Sequence, residues 1–260
     1  MKRESFGSRL GFILVSAGCA IGIGNVWKFP YICGAYGGAA FILIYLCFLV
    51  ILGIPVLVAE FAVGRGSHTS VAKCFDKLAP AGSCWKPLKF IGIIGCYMLM
   101  MFYTTVGGWM IYYCVKSLRG DFVGATPEAV TQSFSDMLGN APTMMLWMVI
   151  ICLIGFAVCF MGLQNGIEKI SKVMMSALLI IMVILAVHSV MMEGAGEGIR
   201  FYLIPDFQKI KEAGVGNVVF AALSQSFFTL SIGIGAMLIF GSYLDKSRSL
   251  TGEAVSITVL

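Results

Sequence analysis

The sequence predicts an all-α protein that crosses a membrane several times. Of its 260 residues, 59% are hydrophobic and only 12% are charged, and the mean hydropathy is +0.93. An ordinary soluble domain carries about 25% charged residues, so the composition excludes that class. The apolar residues are gathered into long runs, and the basic residues between the runs fall mostly in alternate loops. These three observations predict a polytopic bundle of membrane helices.

Six apolar stretches reach the ~20 residues that a helix needs to cross a bilayer. They run approximately over 10–35, 39–63, 89–116, 143–163, 170–192 and 216–243. A seventh stretch begins near Leu250 and reaches Leu260 after about 11 residues. Because a span cannot end there, we expect a single transmembrane domain over 1–260 that is truncated at its C-terminus.

The basic residues predict the orientation of the chain. Twelve Lys and Arg residues lie before span 1, between spans 2 and 3, between spans 4 and 5, and after span 6, whereas six lie on the other side. Because basic loops remain in the cytoplasm, the N-terminus is predicted to be cytoplasmic, with the 117–142 and 193–215 loops outside. No cleavable signal peptide is evident before the first span. We therefore expect a multi-pass protein of the cell (plasma) membrane.

The first span contains a stretch, Gly18 to Pro30, that contradicts a plain membrane helix. Gly22, Gly24 and Asn25 lie near its middle, and Gly costs a helix interior about 1 kcal/mol relative to Ala. A helix break in hydrocarbon leaves backbone polar groups unsatisfied, so it persists only where protein buries it or where it lines a cavity. The alternative is a close helix–helix contact, because Gly18 and Gly22 also form a GxxxG spacing.

A second interruption lies in the sixth span, where polar residues and glycines replace the Leu expected in lipid. These residues are Ser224, Gln225, Ser226, Thr229, Ser231, Gly233 and Gly235. Two interrupted spans five helices apart indicate a broken-helix transporter built from five-plus-five inverted repeats. The chain would then hold the first six helices and the start of a seventh, with the first repeat over about 9–192 and the second from about 216 to 260.

Several short motifs occur in the order found in one family of transporters, across essentially the whole chain. They are Arg9 to Leu14, Gly18 to Pro30, Gly37-Gly38, Gly53 to Glu60, Gly64-Arg65, Gly166 to Lys169, Pro205 to Phe207 and Gln225 to Ser231. The GxGN segment alone would be weak, whereas the ordered set is specific. On these residues the chain resembles the neurotransmitter:sodium symporter family, in particular its bacterial sodium-dependent amino acid transporters.

The resemblance implies two sodium sites in the full-length protein. Na⁺ is a hard cation that requires oxygen ligands, and an unwound helix offers free carbonyl groups. The first implied site uses the Ala20 carbonyl, Asn25 and Thr229, and the second uses the carbonyls of Gly18 and Ile21. The remaining ligands of both sites are expected from later helices, and chloride dependence is left open.

The resemblance also implies a substrate site against the break, where half-helix N–H groups suit a carboxylate. Its residues would be Ala20, Ile23, Gly24, Leu99, Tyr103, Phe228, Thr229, Ser231 and Ile234. Without the resemblance, Tyr103 would be interpreted as a packing aromatic. Monoamine carriers of the family have an acid where this chain has Gly22, so the substrate is expected to bring its own carboxylate, as a neutral amino acid does. Ile234, smaller than the Phe of some relatives, leaves room for a hydrophobic or aromatic side chain.

Four further residues carry assignments from the resemblance. Glu60, a carboxylate within a span, is assigned as a structural acid that braces the broken helices, with proton relay as the alternative. Arg3 and Lys28 match gate positions on the cytoplasmic and outer sides, and the alternative is that both anchor the chain at the membrane interface. Gln225 is assigned to the outer gate or the rim of the pocket.

Together these features predict sodium-coupled symport of a neutral amino acid by alternating access. The alternatives are a proton-coupled amino acid transporter of the same fold and a non-transporting fragment. An enzyme is not expected, because HExxH and GxSxG motifs are absent and the two histidines, His68 and His188, lie in a loop and near a span end. The nine cysteines form no CxxC pair, which suits neither a disulfide framework nor a zinc site. The implied partners are the amino acid and the lipid bilayer, not nucleic acid, and a homodimer remains open.

Overall fold

The computed structural model describes residues 6–22 and 24–260, which form 14 α-helices and three short π-helical segments. The α-helices are α1 (Arg9–Ala20), α2 (Phe29–Ala35), α3 (Ala39–Phe48), α4 (Ile54–Ser67), α5 (Val71–Leu78), α6 (Leu88–Arg119), α7 (Pro127–Gly139), α8 (Ala141–Phe160), α9 (Lys169–Val190), α10 (Ala195–Leu203), α11 (Phe207–Ala213), α12 (Val215–Thr229), α13 (Ala236–Gly241) and α14 (Leu250–Val259). The π-helical segments are Gly24–Lys28, Leu49–Gly53 and Leu163–Glu168. No β-strand occurs in the described residues, and the predicted all-α class is confirmed.

Within the described part of the chain, four helical stretches are long and apolar enough to cross a membrane. They are Ala39–Ser67, Leu88–Arg119, Ala141–Phe160 and Leu163–Val190. A fifth results when Arg9–Ala20 and Gly24–Ala35 are counted as one broken span, bent by 55°. The first five predicted spans are therefore present, although the fifth begins at Leu163 rather than at residue 170 because a π-helical segment precedes α9.

The sixth predicted span, 216–243, is divided into α12 and α13. The six residues between them include Gly233 and Gly235, with φ of 90° and 81°, and Ser231, with φ of 50°. These are left-handed conformations that Gly adopts without the steric penalty of a Cβ. The predicted interruption is confirmed, but the helix persists to Thr229 and breaks after the Ser224–Ser226 portion of the polar stretch.

The described residues cluster into two compact units. One contains residues 6–92 and 163–260, and the other contains residues 93–162. The core of the first unit is built around large side chains that are at most 1% exposed, among them Phe12, Phe41 and Phe61. The first unit holds both broken spans, so the geometry of the breaks is described within it.

Glycines allow a close crossing of α4 and α13 in the first unit. A Cβ on Gly64 would overlap the carbonyl oxygen of Leu238, and a Cβ on Gly241 would lie 2.7 Å from the Cα atom of Phe61. Because both contacts are with backbone atoms, neither could be relieved by a side-chain rotation. The crossing fixes the second segment of the broken sixth span against the second span.

In the second unit, α6 and α8 approach each other closely at Gly108. A Cβ on Gly108 would lie 2.9 Å from the backbone nitrogen of Met148. The N-terminus of α8 is capped by Asn140, whose Oδ1 accepts a hydrogen bond of 3.1 Å from the Thr143 N–H. Large apolar side chains of α8, including Phe156 and Phe160, are exposed, as expected of a helix that faces lipid or further helices.

Candidate functional site

The first break leaves polar groups gathered at the C-terminal end of α1. The last carbonyls of a helix have no partner within it, and α1 ends at Ala20. The Asn25 N–H donates to the Gly22 carbonyl at 3.0 Å, and its Nδ2 donates to the Ala20 carbonyl at 3.4 Å. The Asn25 Oδ1 atom is buried and has no hydrogen-bond partner among the described residues. A buried oxygen without a donor is suited to a cation.

Two side chains of the sixth span tie the two breaks together. The Ser231 hydroxyl donates to the Cys19 carbonyl at 2.8 Å, across 212 positions of sequence. Gln225, only 2% exposed, donates through Nε2 to the Gly24 carbonyl at 3.3 Å and to the Thr229 hydroxyl at 3.4 Å. The breaks therefore share one polar centre inside the first unit, as expected when irregular backbone is buried within the protein.

The Phe228 ring lies directly against the first break. A Cβ on Gly24 would overlap this ring, so the absence of a side chain at Gly24 allows the ring to reach the backbone. The Lys28 ammonium lies 5.5 Å from the centroid of the same ring, within the range of a cation–π contact. Lys28 itself is exposed.

The structure brings most of the predicted site residues together. Those in the contacts around the two breaks are Ala20, Gly24, Asn25, Gln225, Phe228, Thr229 and Ser231. Gly18 and Ile21 lie at the end of α1, and Ile234 lies in the turn between α12 and α13. Leu99 and Tyr103 lie on α6 within the second unit. Arg3 and Ile23 lie outside the described residues.

Glu60 contacts the second break from α4. Its Oε1 accepts a hydrogen bond of 2.6 Å from the Gly233 N–H, and its Oε2 is buried without a hydrogen-bond partner in the described regions. A carboxylate that accepts from a free N–H of an interrupted helix satisfies a donor that would otherwise be orphaned. This geometry fits the bracing role assigned to Glu60.

Sequence reasoning missed Tyr45, which lies in the same polar centre. Its hydroxyl donates to the Thr229 hydroxyl at 3.1 Å, and the residue is 8% exposed. The signal available was a single phenol inside the apolar 39–63 stretch, which by itself does not separate packing from hydrogen bonding.

Two buried carboxylates on either side of α1 were also missed. Glu253 accepts from the Arg9 Nε at 3.0 Å and lies 3.7 Å from an Arg248 guanidinium nitrogen. Glu168 accepts from the Lys172 ammonium at 2.7 Å. An acid at the start of an apolar stretch was the available signal, because such residues are costly near lipid unless they are paired.

The oxygens at the breaks suit a monovalent hard cation better than a transition metal. Among residues 6–22 and 24–260, no group of three or more His, Cys, Asp or Glu side chains is placed to hold a metal ion. The oxygens near Asn25 that could serve as cation ligands are amide, hydroxyl and carbonyl oxygens, which carry no formal charge. This donor set is the kind that irregular membrane helices present to Na⁺.

Comparisons with known proteins agree on one family. The model of the sodium:neurotransmitter symporter family matches residues 3–132 and 121–260. The uncharacterized sodium-dependent transporter YhdH of Bacillus subtilis is 35% identical over all of this chain and 56% of its own length. The sodium-dependent neutral amino acid transporter B(0)AT2 of Mus musculus is 25% identical over all of this chain and 38% of its own length.

A solved structure matches the fold. The crystal structure of MhsT in complex with L-phenylalanine superposes with a TM-score of 0.89 and 37% sequence identity, covering 99% of this chain and 58% of MhsT. The chain thus spans little more than half the length of YhdH and of MhsT. The predicted broken-helix transporter fold is confirmed, and the chain belongs to the sodium:neurotransmitter symporter family.

Proposed function

We propose that the protein mediates sodium-coupled symport of a neutral, hydrophobic or aromatic amino acid across the plasma membrane by alternating access. The observation that carries the proposal is the polar centre shared by the two breaks, where the buried Asn25 Oδ1 has no hydrogen-bond partner within residues 6–22 and 24–260. The Ala20 carbonyl accepts from the Asn25 amide, and the Thr229 hydroxyl is linked to the same centre through Gln225. The first sodium ion would bind there, and the second would bind the carbonyls of Gly18 and Ile21.

Coupling to sodium gives the transport cycle a driving force that the substrate lacks. A zwitterionic amino acid gains nothing from the membrane potential. Each Na⁺ that moves with it contributes about 2.3 kcal/mol per 100 mV, which is roughly a fifty-fold accumulation. Oxygen-lined ion sites beside the pocket are therefore physically reasonable.

The substrate class rests on three supports. The chain has Gly22 where monoamine carriers of the family have an acid, so the substrate is expected to provide the carboxylate. MhsT binds L-phenylalanine in its crystal structure, and one relative is a neutral amino acid transporter. We assign Gly24, Phe228, Ser231 and Ile234 to the pocket, together with Ala20, Ile23, Leu99, Tyr103 and Thr229.

Binding of L-phenylalanine to the purified chain in Na⁺ and in K⁺ tests the sodium assignment. We expect Na⁺ to strengthen binding and Asn25→Ala or Thr229→Ala to weaken the Na⁺ effect at least about tenfold, as expected for a lost ligand to a charged group. The matched controls are Asn217→Ala and Thr131→Ala, which are exposed; the Asn217 amide donates to the Ala213 carbonyl at the end of the preceding helix, and the Thr131 hydroxyl donates to the Pro127 carbonyl of its own helix. Equal binding in both ions, unaffected by Asn25→Ala, would remove the sodium sites.

Uptake into proteoliposomes then separates a transporter from a chain that only binds. Accumulation of L-phenylalanine that requires a Na⁺ gradient supports symport by this chain. Binding without accumulation would show that the described residues bind but do not complete the cycle. Uptake that follows a pH gradient without Na⁺ and is abolished by Glu60→Gln would instead favour proton coupling.

A further inference from the structure

The carboxylate of Glu168 is bonded to the beginning of α1. It accepts hydrogen bonds from the Gly7 N–H at 2.9 Å and the Ser8 hydroxyl at 3.3 Å, and from the Lys172 ammonium at 2.7 Å. The Glu168 side chain is 4% exposed, whereas that of Lys172 is 37% exposed. The buried part of this network therefore joins the last residue of the Leu163–Glu168 π-helical segment to the N-terminal side of α1.

The first turn of α1 is shaped to receive this carboxylate. A Cβ on Gly11 would overlap the Glu168 carboxylate, so only Gly leaves the space that the carboxylate fills. Ser8 also caps α1, because its Oγ accepts from the Gly11 N–H at 3.0 Å. An anion at a helix N-terminus interacts favourably with the helix dipole.

Further along, the packing between α1 and α9 includes an apolar cluster. Leu14 and Ala17 of α1 form a small cluster with Met175 of α9. Apolar contacts of this kind do not depend on direction and can slide. The hydrogen bonds of Glu168 are directional, so they set the position of the beginning of α1 against α9.

We propose that Glu168 is a positioning residue that holds α1 against α9 and restrains opening on the N-terminal side of the first break. It is not among the residues assigned to the ion and substrate sites. It acts through α1, whose 12 residues span about 18 Å at 1.5 Å per residue. The far end of α1 carries the Gly18 and Ala20 carbonyls. The inference that these carbonyls bind Na⁺, and so that Glu168 affects ion binding through α1, rests on the proposed function. Any movement that separates α1 from α9 must first break the bonds to Gly7 and Ser8.

Cys19 provides the readout, because it lines a groove of about 640 Å³ between α1 and α9 together with Met175 and Leu178. Its alkylation by a maleimide is measured on the purified chain by peptide mass spectrometry, with the exposed Cys84 as the internal reference. Separation of α1 from α9 exposes Cys19 and leaves Cys84 unaffected.

The isosteric change Glu168→Gln removes the charge and keeps the volume. We expect Cys19 alkylation to rise about tenfold relative to Cys84, which corresponds to about 1.4 kcal/mol. Lys172→Gln removes only the half-exposed partner, so it should leave the rate within about twofold of wild type. An unchanged Cys19 rate in folded Glu168→Gln protein would overturn the proposal.

Gly11→Ala tests the same contact without changing any charge. Its Cβ displaces the Glu168 carboxylate, so it should also accelerate Cys19 alkylation about tenfold. On a Glu168→Ala background the space is vacant, and Gly11→Ala should then add less than about twofold, since coupled sites are not additive. Gly34→Ala is the matched control, because among the described residues no atom beyond its chain neighbours and its own helix backbone lies within 4 Å of the position of its Cβ.

Additive effects of Gly11→Ala and Glu168→Ala would show that Gly11 acts independently of Glu168, and the proposal would be wrong. If Gly11→Ala does not fold, the isosteric Glu168→Gln variant decides by itself. The assay needs no transport. If Na⁺ alters no variant's Cys19 rate while Glu168→Gln still accelerates alkylation, the proposed sodium coupling fails and the role of Glu168 stands.

Discussion

The crossing of α4 and α13 predicts that Gly64→Ala destabilises the protein. The new Cβ would overlap the Leu238 carbonyl oxygen, and overpacking of a well-packed interface costs about 1–3 kcal/mol. We take the upper end of this range, about 3 kcal/mol, as the cost of the overlap, because a backbone carbonyl cannot rotate away as a side chain can. Replacing a helical Gly by Ala returns about 1 kcal/mol of helix propensity. The net loss of about 2 kcal/mol should lower the Tm by roughly 4–8 °C for a chain of this size.

Gly66→Ala is a matched control on the same helix. The nearest atoms to its Cβ are side-chain methyls of Leu78 at 3.7 Å, an ordinary contact, so only the gain in propensity remains. We expect its Tm to rise by roughly 2–4 °C. Both variants are melted in detergent with a dye that fluoresces on reaction with thiols, reporting the buried Cys33 and Cys74. A Gly64→Ala protein that melts at or above the wild-type temperature would refute the close crossing.

Three further predictions concern single side chains. Glu60→Ala leaves the Gly233 N–H without its acceptor and should lower the free energy of unfolding by about 1–3 kcal/mol. Glu60→Gln retains an acceptor oxygen and should lose less than half of that in the same melting assay. Equal losses for the two variants would contradict this hydrogen bond. Burial raises the pKa of the Cys74 thiol, so less of the reactive thiolate is present at a given pH. At pH 8, maleimide should therefore modify Cys74 at least about tenfold more slowly than the exposed Cys84. Comparable rates for the two cysteines would show that Cys74 is accessible. Ser231→Gly should melt close to the wild-type temperature, because relief of the left-handed φ of 50° offsets the lost hydroxyl hydrogen bond of about 1 kcal/mol. Ser231→Ala loses the same bond but retains the strained φ, so it should melt at a lower temperature. The opposite order would contradict the left-handed conformation of residue 231.

The polar centre explains how two helix breaks can persist in a largely apolar chain. Each break exposes N–H and C=O groups that lipid cannot satisfy. Here the acceptors of the first break receive donors from Gln225 and Ser231, and a donor of the second break reaches Glu60. These bonds satisfy backbone groups of both breaks, and among the described residues of this centre the Asn25 Oδ1, Gln225 Oε1 and Glu60 Oε2 atoms remain buried without a hydrogen-bond partner.

The sequence by itself determined the features that depend on local composition. Long apolar runs predicted the all-α membrane class, because a bilayer accepts a polypeptide only when its backbone bonds are internal. Glycine and polar residues at Gly22–Asn25 and over Ser224–Gly235 predicted both breaks, because helix propensity is a local property; that the second break begins only after Thr229 came from the structure. The ordered motifs also identified the family, since they lie along the chain and require no knowledge of contacts.

Only the tertiary structure decided which residues meet. Tyr45 reaches Thr229 across 184 positions, and Glu168 reaches Gly7 across 161. The sequence around Tyr45 does not distinguish a bonded side chain from one that merely packs. The position of Glu168 at the start of an apolar stretch indicates that it is paired, but not with which partner. Partner choice depends on how helices cross, and the crossing is set by packing surfaces such as Gly64 against α13, which many distant residues form together.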